Sequence, residues 1–142
     1  MGKKRIVKPA VAGAEGQSQA KAPTQKKRVD FGVLHVESTY NNTRLVLTDS
    51  RGDTLAWSSS GSLGFKGAKK GTPFAASKVG ELLGDKAAQI GIKEIDVVIS
   101  GVGSGRESSV RSFTSKGISI NSIRDITPVP HNGPRPPKPR RV

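Results

Sequence analysis

The sequence contains no cysteine and few of the other residues from which reactive or metal-binding sites are built. Without cysteine, disulfide bonds, thiolate metal sites and cysteine nucleophiles are all excluded. Only two histidines are present, His35 in a predicted strand and His131 in a proline-rich tail, and their spacing matches no metal-binding motif. We therefore expect no catalytic residue, no metal ion and no cofactor.

Long hydrophobic runs are also missing. No apolar run approaches the length of a transmembrane helix, and Ala10–Ala12 is too short for the core of a signal peptide. Aromatic residues make up only 4% of the chain, and neither terminal segment interleaves them with its cations as membrane-surface segments do. The sequence therefore predicts a cytoplasmic protein with no membrane partner.

Acidic residues are scarce where basic residues are concentrated, and the net charge is +13. Residues 1–28 hold eight Lys and Arg against one Glu, residues 128–142 hold four against none, and the middle holds twelve against ten. We predict a basic, disordered N-terminal extension (1–28), an α/β RNA-binding domain (29–127) and an extended Pro/Arg-rich tail (128–142). Charge concentrated in flexible ends favours a nucleic-acid partner.

The tail has six prolines between Pro128 and Pro139. Proline lacks an amide donor and keeps the chain near the polyproline II conformation, so neither a helix nor a sheet can include this segment. Its two valines give it almost nothing to bury. We expect it to become ordered only on a polyanion, whereas composition alone also allows a solubilising tail.

The spacing of apolar residues and turn residues predicts the order βββαβαβ. Three short strands are separated by turns at Tyr40–Thr43 and Asp49–Asp53, and a helix, a strand, a second helix and a last strand follow. This order indicates an α/β domain in two or three layers, with a mixed sheet of about five strands and two helices.

The first predicted helix begins at Thr72 and Pro73 and ends before Gly91, because these residues suit a helix cap, a first turn and a helix end. Small residues recur every four positions along it, which predicts a flat groove for a closely packed neighbour. The second helix is predicted to begin with a capping box of Ser104 and Glu107 and to end near Lys116. The predicted apolar stripe of the first helix consists of Phe74, Val79, Leu82, Leu83 and Ile90.

Two glycine-rich segments are candidates for phosphate contact. In the loop Gly61–Lys70, glycines allow close backbone approach, lysines neutralise phosphate, and Phe65 suits stacking on an unpaired base, with burial of Phe65 in the core as the alternative. The turn Gly101–Glu107 lies between a strand and a helix, where amides and the helix dipole favour an anion. Its spacing matches neither the dinucleotide fingerprint nor the P-loop; a plain structural turn is the alternative, and Arg106 favours RNA phosphate.

An enzymatic reading rests on carboxylates alone. They occur at strand ends and turns, where Asp is common for conformational reasons, although such residues can gather into a two-metal nuclease site. We predict that the protein is not an enzyme. The carboxylates concerned are Asp30, Asp49, Asp53, Asp96 and Asp125.

Four stretches occur together in order: Asn41–Thr43, Gly64–Ala76, Gly101–Glu107 and Asp125–Gly133. On these stretches the chain, from about Lys26 to Val142, resembles the universal small-subunit ribosomal protein family eleven in its bacterial form. The resemblance implies a ribonuclease-H-like topology without that enzyme's activity. It implies binding of 16S rRNA on the platform of the small subunit, beside the mRNA path near the exit site. It also implies ribosomal proteins seven, eighteen and twenty-one as neighbours, and isoaspartate at Asn132.

The sequence thus predicts a structural constituent of the small ribosomal subunit that binds 16S rRNA and supports assembly of the platform, with passing mRNA nearby and no small-molecule substrate. A free-standing, sequence-independent RNA chaperone is the alternative. The predicted RNA-binding residues are Lys26, Lys27, Arg28, Asn41, Asn42, Phe65, Lys66, Lys69, Lys70, Arg106, His131, Asn132, Arg135, Lys138, Arg140 and Arg141.

Overall fold

The computed structural model describes residues 28–141. Within them the predicted element order βββαβαβ is confirmed, with a short 3₁₀ helix, Gly67–Gly71, added in the loop before the first α-helix. The elements are β1 (Phe31–Ser38), β2 (Thr43–Asp49), β3 (Thr54–Ser59), α1 (Pro73–Ile90), β4 (Glu94–Ser100), α2 (Gly105–Thr114) and β5 (Ser119–Asp125).

The five strands form one mixed sheet, as predicted, and their order in the sheet is β3-β2-β1-β4-β5. The first three strands are antiparallel neighbours joined by tight turns. The central strand β1 is parallel to β4, and β4 is parallel to β5. At the centre of the sheet Leu34 is paired with Leu47 on one side and with Val97 on the other.

The hydrophobic core lies between one face of the sheet and both helices, so the domain has two layers. Alternate residues of the central strands, such as Leu34, Leu45 and Val97, are fully buried against Leu83 of α1 and Phe113 of α2. The opposite face carries half-buried and exposed side chains, as period-two alternation requires when one face lacks a covering layer.

Helix α1 begins and ends where the sequence predicts. The hydroxyl of Thr72 accepts a hydrogen bond from the amide of Ala75 at 3.3 Å, and Pro73 occupies the first helical position. Gly91 has a φ of 98°, the left-handed conformation that suits glycine at a helix C-terminus.

The predicted groove of small residues is confirmed, but the predicted apolar stripe is partly wrong. Helix α2 packs directly on Gly80 and Gly84 of α1, where an added Cβ would meet the backbone of Ser109 and Phe113. Because α2 occupies this small-residue face, Phe74 and Leu82 are turned outward, and they are 63% and 37% exposed.

The predicted capping box of α2 is wrong. Ser104 has helical dihedral angles rather than the extended ones of a capping residue, and its side chain makes no cap hydrogen bond. Its hydroxyl instead donates to the carbonyl oxygen of Gly71 at 2.8 Å, which ties the start of α2 to the loop before α1. Helix α2 also ends at Thr114, two residues before the predicted end.

Candidate RNA-binding edge

Three loops meet at one edge of the domain, beyond the end of β1. They are the turn Thr39–Asn42, the loop Gly61–Thr72 and the turn Gly101–Ser104, and we call this surface the loop edge. The amide of Gly103 donates to the carbonyl oxygen of Ser38 at 2.8 Å. A side chain at Gly71 would overlap the carbonyl group of Tyr40. The predicted RNA-binding segments are therefore brought together by close backbone contacts that only glycine permits.

The turn Thr39–Asn42 is rigid and carries an exposed aromatic ring. The amide of Thr39 donates to the carbonyl oxygen of Asn42 at 2.8 Å, and the hydroxyl of Ser60 donates to Asn42 Oδ1 at 2.6 Å. This leaves Asn41 exposed and Tyr40 78% exposed at the tip. The sequence argument assigned Tyr40, Asn41 and Asn42 to a turn, and the family resemblance added RNA contact for Asn41 and Asn42 but not for Tyr40. A lone tyrosine beside asparagines is a usable signal for base stacking.

Lys66, Lys69 and Lys70 lie in the second loop of the loop edge, and the last two belong to the 3₁₀ helix. Lys66 and Lys69 are exposed and Lys70 is half-buried. Among residues 28–141, no carboxylate lies within ion-pair distance of any of the three; the ion pairs there use other cations. Their charges are consequently free to neutralise an external anion.

Phe65 lies on the surface rather than in the core. Its ring is half-buried and packs edge-to-face on Phe74, with ring centroids 6.1 Å apart. The ammonium group of Lys78 lies 5.7 Å above the ring of Phe74. The half-buried ring of Phe65 and the exposed ring of Phe74 form an aromatic pair in and beside the lysine-bearing loop, a geometry that suits an unstacked base.

Arg106 forms a network with the start of the tail, which we call the tail lock: Arg106, Asp125, Thr127 and the backbone of Gly101. The guanidinium group donates to Gly101 O and to Asp125 Oδ2, and more weakly to Thr127 Oγ1 at 3.4 Å. Thr127 Oγ1 donates to Asp125 Oδ1 at 2.6 Å and accepts from the amide of Gly101 at 3.2 Å. The structure thus gives Arg106 internal partners that the sequence argument did not anticipate.

The pKa of Asp125 is lowered from 3.8 to about 2 by the hydroxyl and the amide of Thr127 and by the guanidinium of Arg106. Because the pKa is lowered, the ionised carboxylate stabilises the lock fully at pH values above its ordinary pKa of 3.8. This stabilisation is lost as the pH falls through about 2. We expect the Asp125 carboxyl carbon to titrate near pH 2 by NMR, and near 3.8 when the lock is removed. Thr127→Val should shift the midpoint upward, since Thr127 makes the largest contribution; an unchanged midpoint would contradict the geometry of the lock.

The cations of the tail are exposed along its whole described length. Between Asp125 and residue 141 the chain forms no helix or strand, and no ion pair within residues 28–141 engages the tail cations. Asn132 has a φ of 55°, a left-handed conformation that asparagine tolerates, and Gly133 follows it. The exposed predicted residues here are His131, Asn132, Arg135, Lys138, Arg140 and Arg141.

Other predicted residues are not part of the loop edge. Arg28 lies at the opposite end of the sheet, beside Ser50 and Ile90, and Lys26 and Lys27 lie outside the described residues. Of the five carboxylates considered for a two-metal site, Asp49 lies on β2 and Asp125 on β5, with β1 and β4 between them, which is about 14 Å across the sheet. These two carboxylates therefore do not share a metal site.

The chain matches the model of one known protein family. A sequence model of the family described as Ribosomal protein S11 matches residues 32–141, which is more than three quarters of the chain. The chain belongs to the ribosomal protein S11 family. Members of the S11 family are structural proteins of the small ribosomal subunit that bind rRNA and contact other ribosomal proteins. Within the described part of this S11-family chain, no helix is both long and apolar enough to cross a membrane.

Proposed function

We propose that the protein binds 16S rRNA on the platform of the small subunit, beside the mRNA path near the exit site, and supports assembly of that region. The observation that carries the proposal is the distribution of unpaired charge. The body of the domain carries carboxylates and ion pairs such as Lys78–Glu81 and Arg44–Glu37. The three loops of the loop edge and the tail 128–142 contain no Asp or Glu, and their cations have no acidic partner among residues 28–141. Phosphate neutralisation dominates the affinity of proteins for nucleic acids.

The arms extend this contact beyond the domain. A tail with six prolines and four cations enters RNA crevices that are too narrow for a folded domain, and it becomes ordered there because phosphates supply the counter-charge. We assign the same role to the basic N-terminal extension. In this proposal the fold has a ribonuclease-H-like topology, the protein acts in the cytoplasm, and its neighbours are ribosomal proteins seven, eighteen and twenty-one and passing mRNA.

Chemical footprinting of 16S rRNA with and without the protein tests the proposal. We expect protections confined to the platform that persist after a high-salt wash, and we expect Lys66→Gln/Lys69→Gln to weaken them. The matched control is Lys86→Gln/Lys93→Gln, which removes two lysines away from the loop edge and should leave the protections unchanged. Protections scattered over the whole RNA and lost in high salt would instead identify a sequence-independent RNA chaperone.

We also propose that Asn132 converts to isoaspartate. It is exposed, and Gly133 lacks a side chain that would hinder its own amide nitrogen. That nitrogen attacks Asn132 Cγ and expels ammonia, and hydrolysis of the cyclic imide leaves the chain linked through the β-carboxyl group. We expect aged protein to release ammonia and to carry an acid-for-amide mass change on the tail peptide, and Gly133→Val to suppress both. Intact Asn132 in aged protein would contradict the proposal.

A further inference from the structure

The tail lock fixes the point at which the chain leaves the folded domain. Asp125 is the last residue of β5, and the amide of Ile126 still donates to the carbonyl oxygen of Ile99 at 2.9 Å. Thr127 is bound through its hydroxyl to Gly101 and Asp125 and through its amide to Asp125 Oδ1 at 2.9 Å. Beyond Thr127, within the described residues, the tail makes no hydrogen bond to the domain. Thr127 is therefore the last residue whose direction the domain controls.

Small changes in direction at Thr127 are amplified along the tail. Arg135 lies eight residues further on, and the rise of polyproline II sets an upper limit of about 25 Å on this distance, which the left-handed conformation of Asn132 shortens. A change of about 30° at Thr127 would move Arg135 by up to about 12 Å, which exceeds the Debye length of about 8 Å at physiological salt. A tail that leaves in the wrong direction would bring its cations to the wrong phosphates.

Arg106 is the central residue of the lock. It reaches from the first turn of α2 to the backbone of Gly101 and to both Asp125 and Thr127, and its side chain is only 30% exposed. Its charge is balanced by Asp125. A direct phosphate contact would have to use the N–H donors that Gly101, Asp125 and Thr127 leave over, on a guanidinium whose charge Asp125 already balances. Lys66 and Lys69 have no such partner among residues 28–141.

We propose that Arg106 is a positioning residue that directs the C-terminal tail onto rRNA, and that it does not itself bind phosphate. The inference rests on the proposed function, because it concerns how the same RNA-binding surface is aligned. Asp125 and Thr127 are its partners in this role, and the glycine turn Gly101–Ser104 supplies the backbone acceptor.

Asp125→Asn distinguishes a positioning role of Arg106 from direct phosphate contact, because the two roles predict opposite changes in the affinity for 16S rRNA. The substitution removes the carboxylate that balances the charge of Arg106. If Arg106 could bind phosphate, rRNA binding would tighten and the salt dependence would steepen by about one unit of log–log slope. Positioning predicts the opposite: binding of the full chain to 16S rRNA weakens about tenfold, because ordering one or two released backbone residues carries a free-energy cost of that size. Tighter binding would overturn the proposal.

A second test uses a full-length background in which Arg135, Lys138, Arg140 and Arg141 are all changed to Gln. Arg106→Gln should weaken binding in the natural chain and have no effect in this background, where tail direction no longer matters. Arg111→Gln, an exposed cation further along the same helix, is the charge-matched control and should give equal effects in both. Equal effects of Arg106→Gln in both backgrounds would mean that it contacts RNA directly.

Thr127→Val keeps the test decisive if Arg106→Gln does not fold, since it removes lock hydrogen bonds without changing charge. It should weaken binding only when the tail cations are present. If the unaltered chain fails to bind 16S rRNA, the proposed function is wrong. If the unaltered chain binds and Asp125→Asn, Arg106→Gln and Thr127→Val leave binding unchanged, only the positioning role is wrong.

Discussion

Deleting residues 134–142 should lower the log–log salt slope of 16S rRNA binding by about 3, because the deletion removes four cations that neutralise phosphates. A slope difference of 3 means that the advantage of the full chain over the deleted one shrinks about 60-fold between 50 and 200 mM salt. Every described residue of this segment is exposed, so the hydrophobic core is unaffected. Binding isotherms at four or five salt concentrations measure the effect.

The control for this deletion keeps the length of the tail. Changing Arg135, Lys138, Arg140 and Arg141 to Gln preserves all prolines and should reproduce the loss of slope. Changing Pro134, Pro136, Pro137 and Pro139 to Ala preserves the charges and should keep the slope while lowering affinity, since a more flexible tail loses more entropy on binding. A deletion that leaves the slope unchanged would show that the tail cations do not contact RNA phosphates.

Gly80→Ala should destabilise the domain, although alanine is the better helix former. In an open helix the substitution would gain about 1 kcal/mol. Here the new Cβ would overlap the carbonyl oxygen of Ser109 and lie 3.1 Å from Ser112 Cβ and 3.2 Å from the amide nitrogen of Phe113. Backbone atoms cannot yield unless α1 and α2 separate, so we expect a net loss of about 1–3 kcal/mol in the free energy of unfolding.

Gly84→Ala is the matched control, one turn further along the same helix. Its Cβ would meet Lys116 Cγ at 2.7 Å, a flexible side chain that can move, and the carbonyl oxygen of Phe113 at 3.1 Å. The gain in helix propensity should nearly offset this contact. Thermal unfolding measures both variants, since each kcal/mol corresponds to roughly 4–8 °C in a domain of about this size. Equal stability of the two variants would contradict the predicted importance of the Ser109 contact.

The sequence predicted most accurately the structural features that are determined by residues close together in the chain. Thr72 specifies a helix start because its hydroxyl accepts the hydrogen bond of a first-turn amide, Pro73 because its φ is fixed at a helical value, and Gly91 specifies the helix end. The repeat of small residues at Ala76, Gly80 and Gly84 correctly predicted a close neighbour, because only backbone contact explains two glycines within a helix.

The features that the sequence did not predict depend on partners far along the chain. Ser104 has the residue type and spacing of a cap, but the carbonyl group of Gly71, 33 positions away, accepts its hydrogen bond. The sequence predicted Arg106 to be an unpaired cation, because no pattern in it indicates that Asp125, 19 positions away, accepts a hydrogen bond from Arg106. Phe74 and Leu82 fit the helical period, but which face of α1 is buried was decided by where α2 packs.

The central position of β1 determines when the sheet can be completed during synthesis of the chain. Its antiparallel partner β2 follows at once, so the hairpin forms from adjacent residues, whereas its parallel partner pairs His35 with Val98, about 60 residues later. Contacts of such long sequence separation form late, since the intervening chain must first lose its freedom. One side of the middle strand consequently stays open until β4 has been made. The turn Gly101–Ser104 then reaches Ser38, so the three loops of the loop edge are all neighbours only after β4 has been made.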